Sequence, residues 1–115
     1  MPTRFLNSSI LKWPDKKKVE KAFAEWSKGL QKSNSLVAKI GYFGSYAKGS
    51  WGVGSDLDVV VIVKNSKCPF ERRPADFDAV SLPVPVDLLV YTENEWENVG
   101  SSFKEKIKWV FEKQN

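Results

Sequence analysis

Two aspartates, Asp56 and Asp58, stand at the start of an apolar run, a few residues after a loop rich in glycine and serine. In a β-strand, residues i and i+2 point to the same side, so we expect these carboxylates to project together. Two like charges this close repel, and each carboxylate pKa rises unless a cation lies between them. Magnesium resolves such a conflict, because it binds one or two protein carboxylates together with the phosphates of a substrate.

A third carboxylate, Asp87, lies inside the apolar segment VPVDLLVY, residues 84–91. Its neighbours predict that it is buried, and a buried carboxylate needs a partner. If its strand lies beside residues 56–63, Asp87 can join the other two aspartates. Three aspartates on one sheet suit two-metal chemistry, in which one ion lowers the pKa of an attacking hydroxyl and another stabilises a leaving pyrophosphate.

The loop before the aspartates has the composition of an anion site. Gly44 and Ser45 follow a predicted strand and precede a short predicted helix, so backbone N–H groups there can cradle a phosphate. The Ser45 hydroxyl adds a donor, and Lys48 adds a positive charge. Glycine-rich loops are often mere turns and D-x-D often only caps a strand, but their combination in this order favours the functional interpretation. Trp51, in the same loop, either stacks on a base, shields the site or packs in the core.

The composition limits the chemistry. The chain has 115 residues, a formal net charge of +4, no histidine and one cysteine, Cys68. Without histidine, catalysis must use carboxylates, lysines, hydroxyls or a metal held by oxygen ligands, which favours magnesium, calcium or manganese. A lone cysteine cannot form an internal disulfide, and no run reaches the ~20 apolar residues needed to span a bilayer. We therefore expect a cytoplasmic protein.

Periodicity predicts the elements that position these residues. Apolar residues three and four apart predict an amphipathic helix over 15–31. Short runs of β-branched and aromatic residues predict three strands, over residues 36–43, 56–63 and 84–91. The run over 56–63 is continuous enough to suggest burial on both faces. Thr92 and Glu95 predict a capping box that opens a helix. Further along the chain we expect a short helix near Phe103 and an edge strand at 108–112.

The spacing of the candidate residues resembles a known pattern. Gly44 and Ser45, followed after ten residues by Asp56-x-Asp58, resemble the motif of the DNA polymerase beta-like nucleotidyltransferase superfamily. The segments GSYAKGSWGVGSDLDVVVIV and PVPVDLLVYT resemble its minimal nucleotidyltransferase (MNT) branch, which includes the antitoxins of HEPN/MNT toxin–antitoxin pairs. The resemblance implies an α+β (α/β) fold with a mixed sheet of three to four strands flanked by helices, in one domain over residues 1–115.

The same resemblance implies roles for individual residues. The catalytic and metal-binding carboxylates would be Asp56, Asp58 and Asp87, which would hold Mg²⁺ or Mn²⁺, with Asp87 helping to activate an acceptor hydroxyl. The contacts to the nucleotide would come from Gly44, Ser45, Lys48 and Ser55. The family usually has arginine where Lys48 stands, and lysine keeps the charge but loses the bidentate fork.

The implied reaction is transfer of a nucleoside monophosphate, AMP from ATP, to a hydroxyl on a partner such as a HEPN-type protein. Two alternatives stay open: adenylylation of a small molecule, which the short chain disfavours, and a non-catalytic module that acts by contact. Self-association also stays open, and we expect no membrane partner. Nucleic-acid binding through the predicted helix over 15–31, which begins with three lysines, is the least favoured. Candidates for an exposed partner surface are Phe70, Phe77 and Trp96.

Overall fold

The structure, a computed structural model, describes residues 16–49, 56–79 and 82–113. The elements of its first half are helix α1 (Lys16–Ser33), strand β1 (Val37–Phe43), the one-turn helix α2 (Ser45–Lys48) and strand β2 (Leu57–Val63). Those of its second half are a 3₁₀ helix (Phe70–Asp76), strand β3 (Val86–Thr92), helices α3 (Glu93–Glu97) and α4 (Ser101–Lys104), and strand β4 (Lys108–Glu112). Among these described elements, no helix is both long and apolar enough to cross a membrane.

The four strands form one mixed sheet in the order β3-β2-β1-β4. Strands β2 and β3 run parallel, and the other two pairs are antiparallel. The expected α+β fold with a mixed sheet flanked by helices is therefore confirmed. The predicted bounds of α1 and of the four strands differ from the observed ones by at most two residues, while Asp15, expected to cap α1, lies outside the described residues.

Strand β2 is central, and residues of both its faces are buried as its apolar run predicts. Leu57, Val59 and Val61 belong to a cluster that includes Val19 and Phe23 of α1. The other face contributes to a second cluster, whose buried members are Val60, Ile62, Trp96 and Ile107. Because hydrophobic burial holds β2 on both sides, the strand is a rigid support for the aspartate at its start.

Two of the three aromatic residues considered for an exposed partner surface are in fact buried. Phe77 is 9% exposed and Trp96 is 8% exposed, whereas Phe70 is 37% exposed. Phe77 belongs to the cluster on the α1 side of the sheet. Trp96 lies within stacking distance of Tyr91 and Phe103 in the second cluster. The expectation is therefore wrong for Phe77 and Trp96, which fill space between the sheet and its covering segments.

A hydrogen-bond network fixes the end of β3. The predicted capping box is present: the Glu95 N–H donates to Thr92 Oγ1 at 3.2 Å, and the Thr92 N–H donates to Glu95 Oε1 at 2.9 Å. Buried Arg73, on the 3₁₀ helix, donates to both Glu95 carboxylate oxygens, at 2.5 and 3.1 Å, and to the Val90 carbonyl at 3.0 Å. The network joins the 3₁₀ helix to β3 and α3.

Replacing Arg73 with methionine should lower the free energy of unfolding at pH 7 by about 2–3 kcal/mol, measured by urea denaturation. The change strips donors from Glu95 and from the Cys68 and Val90 carbonyls. The expected loss is smaller than for a fully buried ion pair because the Glu95 side chain is 42% exposed.

The Arg73→Met defect should also depend on pH. Hydrogen bonding from Arg73, with a smaller contribution from the Thr92 N–H, lowers the pKa of Glu95 from 4.5 to about 2. A carboxyl whose pKa is lower in the folded state stabilises the fold above its unfolded pKa and loses that effect as the pH falls through the folded pKa. The difference between wild type and variant should therefore shrink between pH 4.5 and 2. A difference that stays constant would contradict the ion pair as its cause.

Candidate active site

The end of β1 and the starts of β2 and β3 meet at one edge of the sheet, because β1 is antiparallel to β2 and β3 is parallel to it. Asp58 on β2 is flanked in register by Phe43 on β1 and by Asp87 on β3. Residues that face each other across neighbouring strands project to the same side of a sheet. The strand pairing that would let Asp87 join the other aspartates is therefore present.

The three aspartates differ in their surroundings. Asp58 is partly buried, while Asp56 and Asp87 are exposed. Asp56 lies one residue before β2 rather than within it. The expected burial of Asp87 is wrong, because β3 is an outer strand of the sheet and Asp87 is its second residue, at the opposite end from the capping box of α3. Of the apolar neighbours that suggested burial, Val86 and Leu88 pack into the core on the α1 side.

Asp56, Asp58 and Asp87, together called the acidic edge, place like charges close to one another. Partial burial raises the pKa of the Asp58 carboxyl, and the negative charges of Asp87 and then Asp56 raise this pKa further. Across the described ranges 16–49, 56–79 and 82–113, no three Cys, Asp or Glu side chains are already arranged to hold a metal ion. The donor set still fits a divalent cation, since all its ligands are carboxylate oxygens and a cation relieves their mutual repulsion.

Gly44 brings the loop against Asp58. Its φ is +74° and its ψ is −150°, a region that is essentially restricted to glycine. A Cβ atom built on Gly44 would collide with Oδ2 of Asp58. The Gly44 carbonyl accepts a hydrogen bond from the Lys48 N–H at 3.0 Å, which closes the turn of α2. Glycine is thus required both for the backbone turn and for the close approach to the carboxylate.

A Gly44→Ala variant tests this contact. Alanine must adopt an unfavourable backbone conformation and displace the Asp58 carboxylate, so we expect a loss of roughly 1–3 kcal/mol in unfolding free energy. Any nucleotidyl transfer should fall with it. Gly49→Ala is the matched control, because Gly49 also has a positive φ, of +80°, but no heavy atom lies within 4 Å of the Cβ it would gain. Equal loss of activity in both variants would contradict a specific role for the Gly44–Asp58 contact.

The remaining predicted site residues are placed as follows. Ser45 is the first residue of α2 and is partly buried, and Lys48 is its last residue and is exposed. Ser55 and Trp51 lie outside the described residues. Sequence reasoning missed Tyr46, whose fully buried side chain belongs to the core on the α1 side and anchors the short helix that carries Ser45. Its signal is an aromatic residue within an otherwise small and polar loop.

A mixed sheet with a Gly-Ser turn and three aspartates at one edge has the organisation of a nucleotidyl-transferring enzyme. A family profile described as "Nucleotidyltransferase domain" matches residues 16–113. The chain therefore belongs to the nucleotidyltransferase domain family and is a nucleotidyltransferase, which confirms the resemblance read from the sequence. A comparison with curated proteins gives no significant match.

Solved structures share the fold. A candidate nucleotidyltransferase from Sulfolobus solfataricus has a TM-score of 0.67 and 19% sequence identity, over 85% of this chain and 84% of that one. A mutant form of the toxin–antitoxin MntA-HpeT has a TM-score of 0.54 and 22% identity, over 78% of this chain and 72% of that one. At these identities the similarity establishes the fold.

Proposed function

We propose that the chain transfers a nucleoside monophosphate, AMP from ATP, to a hydroxyl group of a partner protein, with Mg²⁺ as the required ion, and that it acts as the antitoxin of a HEPN/MNT-type pair. The observation that carries the transfer reaction is the register pairing of Asp58 with Asp87 beside Gly44. The partner is suggested by the fold similarity to a chain of a toxin–antitoxin complex.

In this proposal the aspartates bind the metal, and the residues of the preceding loop bind the nucleotide. Asp56, Asp58 and Asp87 would hold the metal, which when bound lowers the pKa of the hydroxyl and neutralises charge on the phosphates. The Ser45 hydroxyl, with Ser55, would donate to the nucleotide phosphates. Exposed Lys48 adds a positive charge for their oxygens, without the fixed fork of an arginine.

The transfer exchanges one bond for another. The acceptor oxygen forms a bond to the α-phosphorus, and the bond from that phosphorus to its leaving oxygen breaks, so that pyrophosphate departs. The hydroxyl proton passes to Asp87, whose side chain is exposed and open to an incoming group. Asp58, partly buried and placed against Gly44, would orient the groups bound at the site.

The proposal is tested with the chain purified together with the proteins that co-purify with it. The mixture is incubated with Mg²⁺ and each of four nucleoside triphosphates labelled at the α-phosphate, beside an Asp56→Asn/Asp58→Asn double variant. We expect label from ATP to reach a protein partner covalently, and the double variant to lose this transfer. Wild-type chain that neither binds nor consumes any of the nucleotides would contradict the proposed reaction. Label on a small molecule instead of a protein would contradict the proposed acceptor.

A further inference from the structure

The outer edge of β3 carries backbone groups that no described strand pairs. In a parallel ladder alternate residues turn their N–H and C=O to the same neighbour. The Leu57 N–H donates to the Pro85 carbonyl at 2.9 Å, so Pro85, and with it Asp87, turns its backbone groups toward β2. Val86, Leu88 and Val90 therefore turn theirs outward, as the bond from Arg73 to the Val90 carbonyl confirms.

Arg73 occupies this outer edge at Val90, but the half of β3 that contains Val86 and Leu88 borders a groove. The groove has a volume of about 700 Å³ and is lined mainly by apolar side chains, among them Pro74, Phe77, Leu82, Val84 and Val86. One wall includes Pro74 of the 3₁₀ helix together with Phe77 and Leu82, and the other is β3 itself. The groove is therefore mainly apolar, and on one side it borders backbone groups of β3 that no described strand pairs.

Asp87 connects this groove to the acidic edge. Asp87 is one of the residues that border the groove, and it is the register partner of Asp58, so its side chain projects from the same face of the sheet as Asp58. A strand added along β3 would place every second side chain on the face that carries Asp87. A groove with free peptide groups on one side and an apolar lining suits an extended polypeptide. An added strand forms hydrogen bonds with the peptide groups and packs its side chains against the apolar lining.

We propose that the Val86–Leu88 edge of β3 docks an extended segment of the acceptor protein as an added strand, and so brings a hydroxyl-bearing residue of that segment to Asp87. This inference rests on the proposed transfer reaction. It names the docking surface and the conformation of the acceptor, and it assigns Val86 and Ala79 to acceptor docking.

Val86→Pro is the sharpest variant, because proline removes the outward N–H but retains a small apolar side chain. Proline is tolerated at the edge of a sheet where its N–H would face outward. Val86→Ala is the matched control, since it shortens the side chain and leaves the N–H. Ala79→Trp, with Ala79→Ser beside it, fills the groove without altering β3, and it keeps the test valid if proline prevents folding.

The probe is a mixture of short synthetic peptides with randomised residues around one central serine, threonine or tyrosine, supplied with Mg²⁺ and ATP labelled at the α-phosphate. A parallel mixture with central alanine and a short RNA with a free 3′ hydroxyl serve as counter-probes. We expect labelled peptides with wild type, labelling reduced at least roughly tenfold in Val86→Pro and Ala79→Trp, a clearly smaller reduction in Val86→Ala and Ala79→Ser, and unchanged ATP binding in all four variants.

The outcomes separate this inference from the proposed reaction. A wild-type chain that does not bind ATP with Mg²⁺ in equilibrium dialysis overturns the reaction itself. Bound ATP with no labelled peptide, or label on the RNA instead, overturns peptide docking alone. Peptides labelled equally by wild type, Val86→Pro and Ala79→Trp would place the acceptor elsewhere. In NMR hydrogen exchange, a bound peptide should slow exchange of the Val86 and Leu88 amides, and unchanged rates there would also contradict the added strand.

Discussion

Replacing Asp58 with asparagine should lower kcat/KM for nucleotidyl transfer by roughly 10³-fold, about 4 kcal/mol of transition-state stabilisation. Asp58 lies close to Gly44 and directly opposite its register partner Asp87, so it is the central carboxylate of the acidic edge. Asparagine retains the shape and one oxygen of the side chain but removes its charge. The loss is measured in a steady-state transfer assay at saturating Mg²⁺.

The same Asp58→Asn change should not weaken the fold. Opposed like charges on neighbouring strands are destabilising, so removing one should raise the free energy of unfolding in the absence of divalent ions by roughly 0.2–1 kcal/mol. Glu97→Gln is the control, because Glu97 is an exposed carboxylate on α3, away from the three aspartates in the chain. A variant that loses activity together with stability would indicate that Asp58 supports the structure, not the reaction.

Replacing Asp87 with asparagine should produce a different kinetic defect. We expect kcat to fall by about 10²–10³-fold, the range for a lost general base, while KM for ATP changes by less than roughly threefold. The reason is that Asp87 is exposed and borders the groove proposed for the acceptor, whereas Asp58 lies against the Gly44 turn.

The kinetic constants themselves provide a second check on Asp87. A large rise in KM for ATP with kcat preserved would assign Asp87 to nucleotide binding instead. Glu97→Gln again serves as the control for a change of net charge alone.

Much of the fold follows from patterns that a single strand or helix carries. The continuous apolar run of β2 requires burial on both faces, and the spacing of Val19, Phe23 and Trp26 defines the buried face of α1. Thr92 and Glu95 fix the start of α3 because a capping box depends on two residues three apart. The predicted start of β3 lies two residues early, since Val84 is buried as strongly as a strand residue although it lies in the preceding loop.

The candidate site is harder to predict from the sequence than the fold is. The spacing of Gly44 and Ser45 from the aspartates identifies its components, but the exposure of Asp87 depends on strand order, and the apolar neighbours of an outer strand resemble those of a central one. The close contact of Gly44 with Asp58 is a three-dimensional constraint, and so is the outward edge of β3. Neither feature can be predicted from a local sequence pattern, because each depends on which strands become neighbours in the sheet.

The most direct test of nucleotidyl transfer uses ATP labelled separately at the α- and γ-phosphates, with the purified chain, its co-purifying partner and Mg²⁺. We predict that α-label becomes covalently attached to the acceptor and that γ-label is released as pyrophosphate in equal amount, with both processes lost in the Asp56→Asn/Asp58→Asn variant. Transfer of the γ-label to the acceptor, or its release as orthophosphate, would contradict attack at the α-phosphorus and with it the role given to the three aspartates.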